Sequence, residues 1–330
     1  MNRQALPDER VTALVHDAVA APSMHNAQPW RFGYFRGSRT FHVRADLDRV
    51  LPHADPDLRA LHLGGGAALL NLRVALAHEG WHPAVRLLPD PADPALLATV
   101  HPTGSESGGS ALSGLYPAIH RRHSSRFPFE ETEIPPALRA ALADAAREEG
   151  ATLAFPSSWH LHQVLELLEE AEARNRTDPG SDQDLAQWTR TGSPSGDPAP
   201  DGVPDYAFGP RKRGGRAPMR DFAGSRPVPG RGAAEFERNP QLAVLSTSRD
   251  RPEDWLRAGQ AMERVLLLAT HEGLSSSFAT QALEWSDLRW PLRDPVSGTG
   301  HIQIVLRLGY GPEVPGAPRR PAPDVLDIHP

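Results

Sequence analysis

The amino-acid sequence predicts an α+β fold that is duplicated within one chain as a pseudo-dimer. Helical and strand-like hydrophobic patterns alternate along the chain, and its 330 residues exceed what one hydrophobic core usually holds. One helical pattern, Gly66 to Gly80, returns from Gly259 to Gly273. We therefore expect two units that each contain one copy, residues 1–110 and residues 111–330.

The two copies share small residues at matching positions. Gly66 matches Gly259, Ala68 matches Ala261, and both copies end in His-Glu-Gly. A glycine directly after a helical apolar pattern is typical of a helix C-terminus. Outside these helices each half carries a motif that the other lacks, and this asymmetry is the main indication of function.

The first half begins with a helix and continues into strands. Apolar residues at helical spacing predict a first helix that Pro22 ends. Alternating apolar runs predict the strands of this half, which are 31–35, 40–44 and 84–88. The first copy of the repeated helix lies between the second and third strands. A Gly/Ser-rich link over 104–110 ends the half.

The second half is also mixed. Apolar spacing predicts three helices, 112–121, 136–149 and 158–174. Strands are expected over 152–155, 242–246 and 301–308. Pro252, followed by two acidic residues, is typical of a first helical turn and begins the second copy. A proline-rich tail follows the last strand.

The stretch from Thr177 to Asn239, called the insertion below, has no sustained hydrophobic period. It is rich in Pro, Gly, Arg and Asp, which is typical of a loop or a disordered linker. A loop of this length inside a compact protein is often a functional lid. Linkers seldom carry aromatic residues, so Trp188, Tyr206 and Phe222 predict that parts of the insertion dock on the rest of the chain.

The overall composition excludes several classes of function. A net charge of −6 provides no general attraction to nucleic acid or to an anionic membrane. The absence of cysteine excludes disulfides, thiolate catalysis and cysteine-ligated metals. Residues 1–10 lack the pattern of a signal peptide, and no apolar run approaches membrane-spanning length, so a cytoplasmic protein is expected.

Two short motifs are weak evidence for a site. The string His78 to His82 matches H-E-x-x-H, which binds zinc only when both histidines share a helical face. Gly80 is expected to end the helix between them, so no metal site is predicted. The run Gly64 to Gly66 lacks the preceding strand of a dinucleotide-binding loop. We interpret it as part of a helix whose missing side chains let a flat group lie against the backbone.

The stretch Arg121 to Arg126, called the phosphate loop below, reads Arg-Arg-His-Ser-Ser-Arg. Guanidinium groups form bidentate charge-assisted bonds to phosphate oxygens, and serine adds hydroxyl donors. Arg319 and Arg320 in the tail are candidates for a second cationic contribution. The alternative, which composition alone favours, is a solvated basic helix end.

A second motif, Ala21 to Trp30, reads Ala-Pro-Ser-Met-His-Asn-Ala-Gln-Pro-Trp. After the helix ends, a polar turn presents Ser23 and Asn26. The asparagine amide carries a donor and an acceptor in one plane, which suits the polar edge of a heterocycle. The alternative is a capped loop packed by Trp30.

Together these motifs resemble those of the flavin-dependent nitroreductase superfamily, which carries an Arg-x-Ser-x-Arg/Lys phosphate motif and a Pro-Ser-x-x-Asn-x-Gln-Pro-Trp turn. The duplicated arrangement with its insertion is most similar to the mycobacterial Acg-type branch. The resemblance implies a nitroreductase-like fold with FMN held between two units. Because the turn lies only in the first half and the phosphate motif only in the second, it implies one FMN per chain.

The resemblance also implies which residues bind FMN. The phosphate would be held by Arg122, His123, Ser124 and Arg126, with Arg319 or Arg320 opposite. The ring system would be contacted by Pro22, Ser23, Met24, Asn26, Gly64 and Ala67, and its N5 approached by Thr280 and Gln281. No catalytic side chain is implied.

As a member of this family the chain would be an oxidoreductase. NAD(P)H would reduce FMN, and a small nitroaromatic or quinone-like acceptor would then take the electrons. One chain would form the functional unit, with further oligomerisation left open. The alternative is an FMN-sequestering or storage protein in which the insertion acts as a lid that blocks access to the flavin. Both interpretations require the same cofactor site.

Overall fold

Two long helices, each packed on a β-sheet, form the centre of the molecule. The computed structural model describes residues 5–105, 110–192, 199–224, 226–294, 296, 298 and 300–330. The central helices are α2 (Arg59–His78) and α6 (Pro252–His271), which are the two predicted copies of the repeated pattern. The other helices are α1 (Asp8–Ala18), α3 (Pro136–Glu148), α4 (Ser158–Asn175), α5 (Pro179–Gln187), α7 (Ser286–Arg289) and α8 (Ala322–Val325).

The larger sheet has the strand order β13-β1-β2-β4-β3. Its strands are β1 (Trp30–Phe35), β2 (Thr40–Ala45), β3 (Trp81–Leu87), β4 (Leu96–Ser105) and β13 (Leu326–His329). The last of these comes from the end of the chain and pairs in parallel with β1, where Leu326 lies opposite Phe32. The proline-rich tail therefore returns from the second half to complete the sheet of the first.

The second sheet has the order β11-β12-β10-β5. Its strands are β5 (Thr152–Ala154), β10 (Gln241–Thr247), β11 (Ser275–Phe278) and β12 (His301–Gly309). The central strand β12 is almost wholly buried. All strand pairings within this sheet are antiparallel.

The central helices touch where their matching glycines meet. A Cβ atom on Gly66 would lie 2.3 Å from the carbonyl oxygen of Leu256, and one on Gly259 would lie 2.1 Å from that of Leu63. Only glycine allows the two backbones to approach this closely.

The glycine run in α2 mainly allows close packing of this helix against its neighbours. A Cβ on Gly65 would lie 2.5 Å from the side chain of Leu97, while Gly66 faces α6. Only Gly64 borders the cavity described below. This corrects the interpretation that the whole run makes room for a flat group.

Most predicted elements are present, and the exceptions have local causes. The predicted helix over 112–121 is instead a 3-10 segment, Ser113–Ala118, because Pro117 interrupts the α-helical hydrogen bonds. Strands β4, β11 and β13 were not predicted. Residues 104 and 105 of the predicted Gly/Ser-rich link continue β4, and residues 106–109 lie outside the described residues.

The insertion contains regular structure that its sequence pattern did not predict. It forms α5 and two short pairs, β6 (Thr189–Arg190) with β7 (Val203–Pro204) and β8 (Arg211–Gly214) with β9 (Ala233–Glu235). Trp188 and Phe222 are buried, as predicted for docking residues, but Tyr206 is 48% exposed. Its hydroxyl donates to the carbonyl of Gly316 over 3.1 Å. Residues 193–198 and 225 lie outside the described part of the insertion.

Helix α2 is long and apolar enough, by length and composition, to cross a membrane. This differs from the expectation that no segment approaches such a length. In the folded chain its apolar side chains are buried against protein, from Leu61 to Leu76. A core helix in contact with α6 on one side and the larger sheet on the other needs this composition.

Candidate functional site

One cavity gathers most of the residues predicted to bind a cofactor. Its volume, including the open mouth, is about 1210 Å³. The polar turn after α1 (residues 22–28) borders it from the first half, and the phosphate loop and the segment after β11 border it from the second. The predicted residues in its lining are Pro22, Ser23, Met24, Asn26, Gly64, His123, Ser124, Arg126, Thr280, Gln281 and Arg319.

Three predicted residues do not line this cavity. The buried side chain of Arg122 lies 3.3 Å from the carboxylate of Glu263 and donates to the backbone carbonyl of Ala20, just after α1. Arg320 pairs with buried Asp46 over 3.1 Å. Ala67 faces the hydrophobic core. The two arginines are held by partners inside the protein and Ala67 packs in the core, so none of the three borders the cavity.

The polar turn has a strained backbone. His25, Asn26 and Gln28 have φ angles of 49°, 55° and 54°, in the left-handed region. Non-glycine residues rarely adopt this region, and such strain persists only where surrounding contacts enforce it. One of these contacts is the 2.8 Å hydrogen bond from the backbone N–H of Gln28 to Oγ of Ser23. The strained turn presents His25 and Asn26 to the cavity.

Two buried amide oxygens in the lining have no hydrogen-bond partner among the described residues. Asn26 donates through Nδ2 to the carbonyls of Gly202 and Pro318, over 2.9 and 3.0 Å, and this leaves its Oδ1 unpaired. Oε1 of Gln281 is also unpaired. Buried polar atoms normally have partners, so both are suited to accept hydrogen bonds from N–H groups of a ligand.

One group of cations surrounds Arg319. Its guanidinium donates to neutral backbone carbonyls, including that of Ala21 over 3.2 Å. Burial, and then repulsion from Arg122, lowers the pKa of Arg319 to about 9. The same two causes, in the same order, lower the pKa of His123. Arg319 therefore brings a positive charge to this end of the cavity.

Arg126 belongs to a second group of cations. It donates to the carbonyl of Ala207 over 3.0 Å, and its guanidinium lies 4.6 Å from the ring centre of Phe222. Burial, and then repulsion from Arg220, lowers the pKa of Arg126 to about 10. The four residues of the phosphate loop that were predicted to hold a phosphate thus do not lie in one group, because Arg126 lies toward the insertion while Arg122 and His123 lie beside Arg319.

The sequence did not identify three further lining residues, His25, Arg220 and Glu284. Arg220 donates to Nε2 of His25 over 2.7 Å and pairs with Glu284. Burial raises the pKa of Glu284 to about 7 despite the opposing effect of Arg220. His25 occupies a variable position of the recognised motif, and Arg220 lies in a segment without periodicity. The sequence therefore did not indicate that either residue belongs to the site.

The phosphate loop is positioned by β11. Ser124 forms an isolated parallel bridge with Ser276, and the backbone N–H of Ser125 donates to the Ser276 carbonyl over 2.8 Å. Because β11 begins soon after α6 ends, these bonds tie the loop to the central helix pair. Ser124 thereby reaches the cavity lining.

Comparisons with known proteins agree on one family. Residues 119–310 match the family described as "Nitroreductase family". Over 335 aligned residues the chain is 33% identical to the Mycobacterium tuberculosis protein named "Putative NAD(P)H nitroreductase Rv3131", covering 99% of this chain and 94% of that one. It is 28% identical over 342 residues to "Putative NAD(P)H nitroreductase acg" of the same organism, covering 98% of each.

Solved structures of similar proteins were also found. One is described as "Crystal structure of a putative nitroreductase from anabaena variabilis atcc 29413". It is 12% identical, covers 94% of this chain and 90% of its own, and has a TM-score of 0.44. Another is described as "Crystal structure of FMN and NADPH-dependent nitroreductase NfnB from sphigopyxis sp. strain HMH". It is 18% identical, covers 64% of this chain and 97% of its own, and has a TM-score of 0.39.

Proposed function

This chain belongs to the nitroreductase family, and from that premise we propose that it is an FMN-dependent oxidoreductase. It takes electrons from NAD(P)H and passes them to nitroaromatic or quinone-like acceptors. The observation that carries the proposal is the charge of the cavity. Arg126 and Arg319 are partly buried, burial lowers the pKa of each, and neither forms an ion pair with any described carboxylate. Such charges favour an anionic ligand.

The residues of the cavity fit FMN. Arg319, with His123 and Ser124, supplies cationic and hydroxyl donors for a phosphate. The unpaired oxygens of Asn26 and Gln281 match N–H groups at the polar edge of a flavin. When bound, FMN supplies hydride and single-electron transfer. Apolar side chains complete the lining and would flank a flat ring, namely Leu63, Met262 and Ile304.

We also infer that the site is composite because the chain is an internal pseudo-dimer. The matching glycines of α2 and α6 lie against each other at the helix crossing, as equivalent residues do in a symmetric pair. The polar turn of the first half and the phosphate loop of the second then border one cavity. This arrangement requires no second chain to complete the site.

Anaerobic reduction tests the proposed activity. Purified protein is loaded with FMN, mixed with NADPH or NADH without oxygen, and followed by loss of flavin absorbance. We expect bleaching by at least one nicotinamide and recovery of colour on adding menadione or 4-nitrobenzoate. If the protein does not retain FMN after reconstitution, it is not an FMN-dependent enzyme. If neither NADPH nor NADH reduces the bound flavin, NAD(P)H is not the electron donor.

A second candidate function is FMN sequestration, and the position of the insertion favours it. The insertion contributes Val203, Ala207, Arg220 and Phe222 to the cavity lining. It is held over the polar turn by Trp188, which packs on Ala27, Leu51 and Ala54. If the insertion, as a cover over the cavity, keeps NAD(P)H from reaching the flavin, the protein binds FMN without catalysing its reduction.

Loosening the cover distinguishes the two functions. Trp188→Ala removes the buried anchor, whereas Trp159→Ala, a control, removes a side chain that is 61% exposed. For a sequestering protein, Trp188→Ala should keep FMN and be bleached by NADPH at least tenfold faster than wild type, a threshold of about 1.4 kcal/mol in barrier height. Equal rates in wild type and both variants would show that the insertion does not limit access.

A further inference from the structure

His25 is a buried polar residue that the proposed FMN contacts leave without a role. Its side chain borders the cavity and the residue is only 8% exposed. Its ring packs edge-on against Phe222, with 5.5 Å between ring centres. The strained left-handed backbone holds it there, although most residues avoid this conformation.

The hydrogen bond from Arg220 determines the tautomer of His25. A guanidinium can only donate, so Nε2 of His25, 2.7 Å from Arg220, must be the acceptor. The ring is therefore neutral and carries its proton on Nδ1. Burial, Arg220 and Arg126 all lower the pKa of His25, which agrees with a neutral ring.

The donor at Nδ1 has no partner among the described residues. Arg220 cannot easily turn away to release the other nitrogen, because it is also paired with Glu284. Glu284 in turn accepts a 3.2 Å hydrogen bond from Nδ2 of Asn175. The chain Asn175, Glu284, Arg220 and His25 thus connects α4, the segment after β11, the insertion and the polar turn, and it ends on one free N–H.

We propose that Nδ1–H of His25 donates a hydrogen bond to a conjugated carbonyl or nitro oxygen of a flat ligand in this cavity, and that Arg220 is the residue that positions this donor. The inference rests on the proposed function, which offers two sources of such an oxygen. One is the flavin ring and the other is the electron acceptor. The unpaired oxygens of Asn26 and Gln281, which line the same cavity, are acceptors, so His25 adds a donor to the site.

Binding to the oxidised protein tests this without turnover. His25→Leu removes the donor, whereas His25→Asn places an amide N–H where Nδ1 stood and tolerates the left-handed backbone. The affinity for FMN is measured by fluorescence quenching. The affinity of the FMN-loaded protein for menadione and 4-nitrobenzoate is measured by difference absorbance. We expect His25→Leu to weaken one of these by about three- to tenfold, with His25→Asn within about twofold of wild type.

The affected ligand identifies the source of the oxygen. Weaker FMN binding assigns it to the flavin, and weaker menadione or nitrobenzoate binding with unchanged FMN affinity assigns it to the acceptor. Unchanged affinity for all three in a folded His25→Leu variant overturns the proposal, as does equal loss in the Leu and Asn variants. If no protein holds FMN, menadione binding is measured on the flavin-free wild type and variants; weaker binding in His25→Leu alone then means that the proposed function fails and the His25 assignment stands.

The role of Arg220 has a separate spectroscopic readout. Nitrogen NMR of labelled wild-type protein should show His25 with its proton on Nδ1 alone. In Arg220→Met the ring should exchange between tautomers and titrate at a higher pH, because a cationic neighbour and the fixed donor are lost. Detection of the Nε2–H tautomer in wild type would overturn the proposal directly.

Discussion

At the scale of single residues, the arginine and histidine side chains in and beside the cavity form two groups. Arg319 lies with Arg122 and His123, whereas Arg126 lies with Arg220 and His25. A phosphate and a ring system are chemically different ends of FMN. The two groups are therefore expected to recognise different ends.

Two substitutions test this separation. Arg319→Ala should weaken FMN binding by about tenfold to a hundredfold, since charge-assisted bonds contribute about 1.5–3 kcal/mol, but should leave the affinity for riboflavin unchanged. Arg126→Ala should weaken the binding of both flavins. Fluorescence titration with each flavin measures this, and exposed Arg121→Ala is the control. A loss confined to FMN in both variants would show that both arginines bind the phosphate.

Glu263 provides a prediction about pH. It is fully buried beside Arg122, and burial raises its pKa from 4.5 to about 7 against the pull of that arginine. Because the folded-state pKa lies above the unfolded value, the native protein binds more protons between these pH values. The free energy of unfolding contributed by Glu263 is therefore greatest below about pH 4.5 and falls as pH rises to about 7.

Glu263→Gln should remove this part of the pH dependence. Between pH 5 and 8 the wild type should lose about 2.5 kcal/mol more stability than the variant, at 1.36 kcal/mol per pKa unit. Denaturant unfolding at both pH values measures the difference. Glu253→Gln, on an exposed face of the same helix, should keep the wild-type dependence. An unchanged dependence in Glu263→Gln would assign the titration to other groups.

At the scale of elements, the crossing of α2 and α6 depends on backbone contact. Gly66→Ala would place a methyl group 2.3 Å from a carbonyl oxygen of α6. The helix-propensity gain of about 1 kcal/mol is then smaller than the cost of moving two core helices apart. Gly64 in the same helix has only an ordinary 3.4 Å contact with Ser23 at the corresponding position.

These two glycines predict opposite outcomes for the same substitution. Gly66→Ala should lower the thermal unfolding midpoint and the free energy of unfolding by about 1–3 kcal/mol. Gly64→Ala should leave the midpoint unchanged or raise it. Calorimetry of both variants without flavin checks the prediction. If Gly66→Ala unfolds at the same midpoint as Gly64→Ala and the wild type, the two helices can move apart at little cost in free energy.

The insertion is an element that cannot be removed whole. Glu237, near its end, pairs with Arg307 of β12, and both side chains are buried. Deleting residues 177–239 would leave the guanidinium of Arg307 buried without its partner, which typically destabilises by about 3–5 kcal/mol. Point variants at Trp188 are therefore the sharper test of access to the cavity.

At the scale of the whole molecule, the two halves contribute different parts of one site. The polar turn occurs only in the first half and the phosphate loop only in the second. We predict one FMN per fully loaded chain. Flavin absorbance after denaturation, compared with protein concentration from amino-acid analysis, measures this ratio. Two tightly bound FMN per chain would contradict the composite site.

Much of the fold could be predicted because its determinants are local. The spacing of apolar residues along α2 and α6 depends on helical geometry alone, and Gly80 and Gly273 mark where both helices end. The polar turn and the phosphate loop are contiguous strings, so their resemblance to the flavin-binding motifs of a known family could be recognised from the order of their residues. By contrast, Pro117 changed a predicted helix into a 3-10 segment, and the short strands of the insertion lack enough residues to show a period.

By itself, the sequence determined the mixed helix and strand order, the repeated core helix and the two motifs that indicate a flavin site. Only the tertiary structure decided that β13 joins β1, that Arg126 and Arg319 lie in separate groups, and that Arg220 sets the tautomer of His25. The physical reason is the separation along the chain between the residues that interact. Helical periods and motifs arise from neighbouring residues, whereas these contacts join segments far apart in the chain and exist only once the whole core has packed.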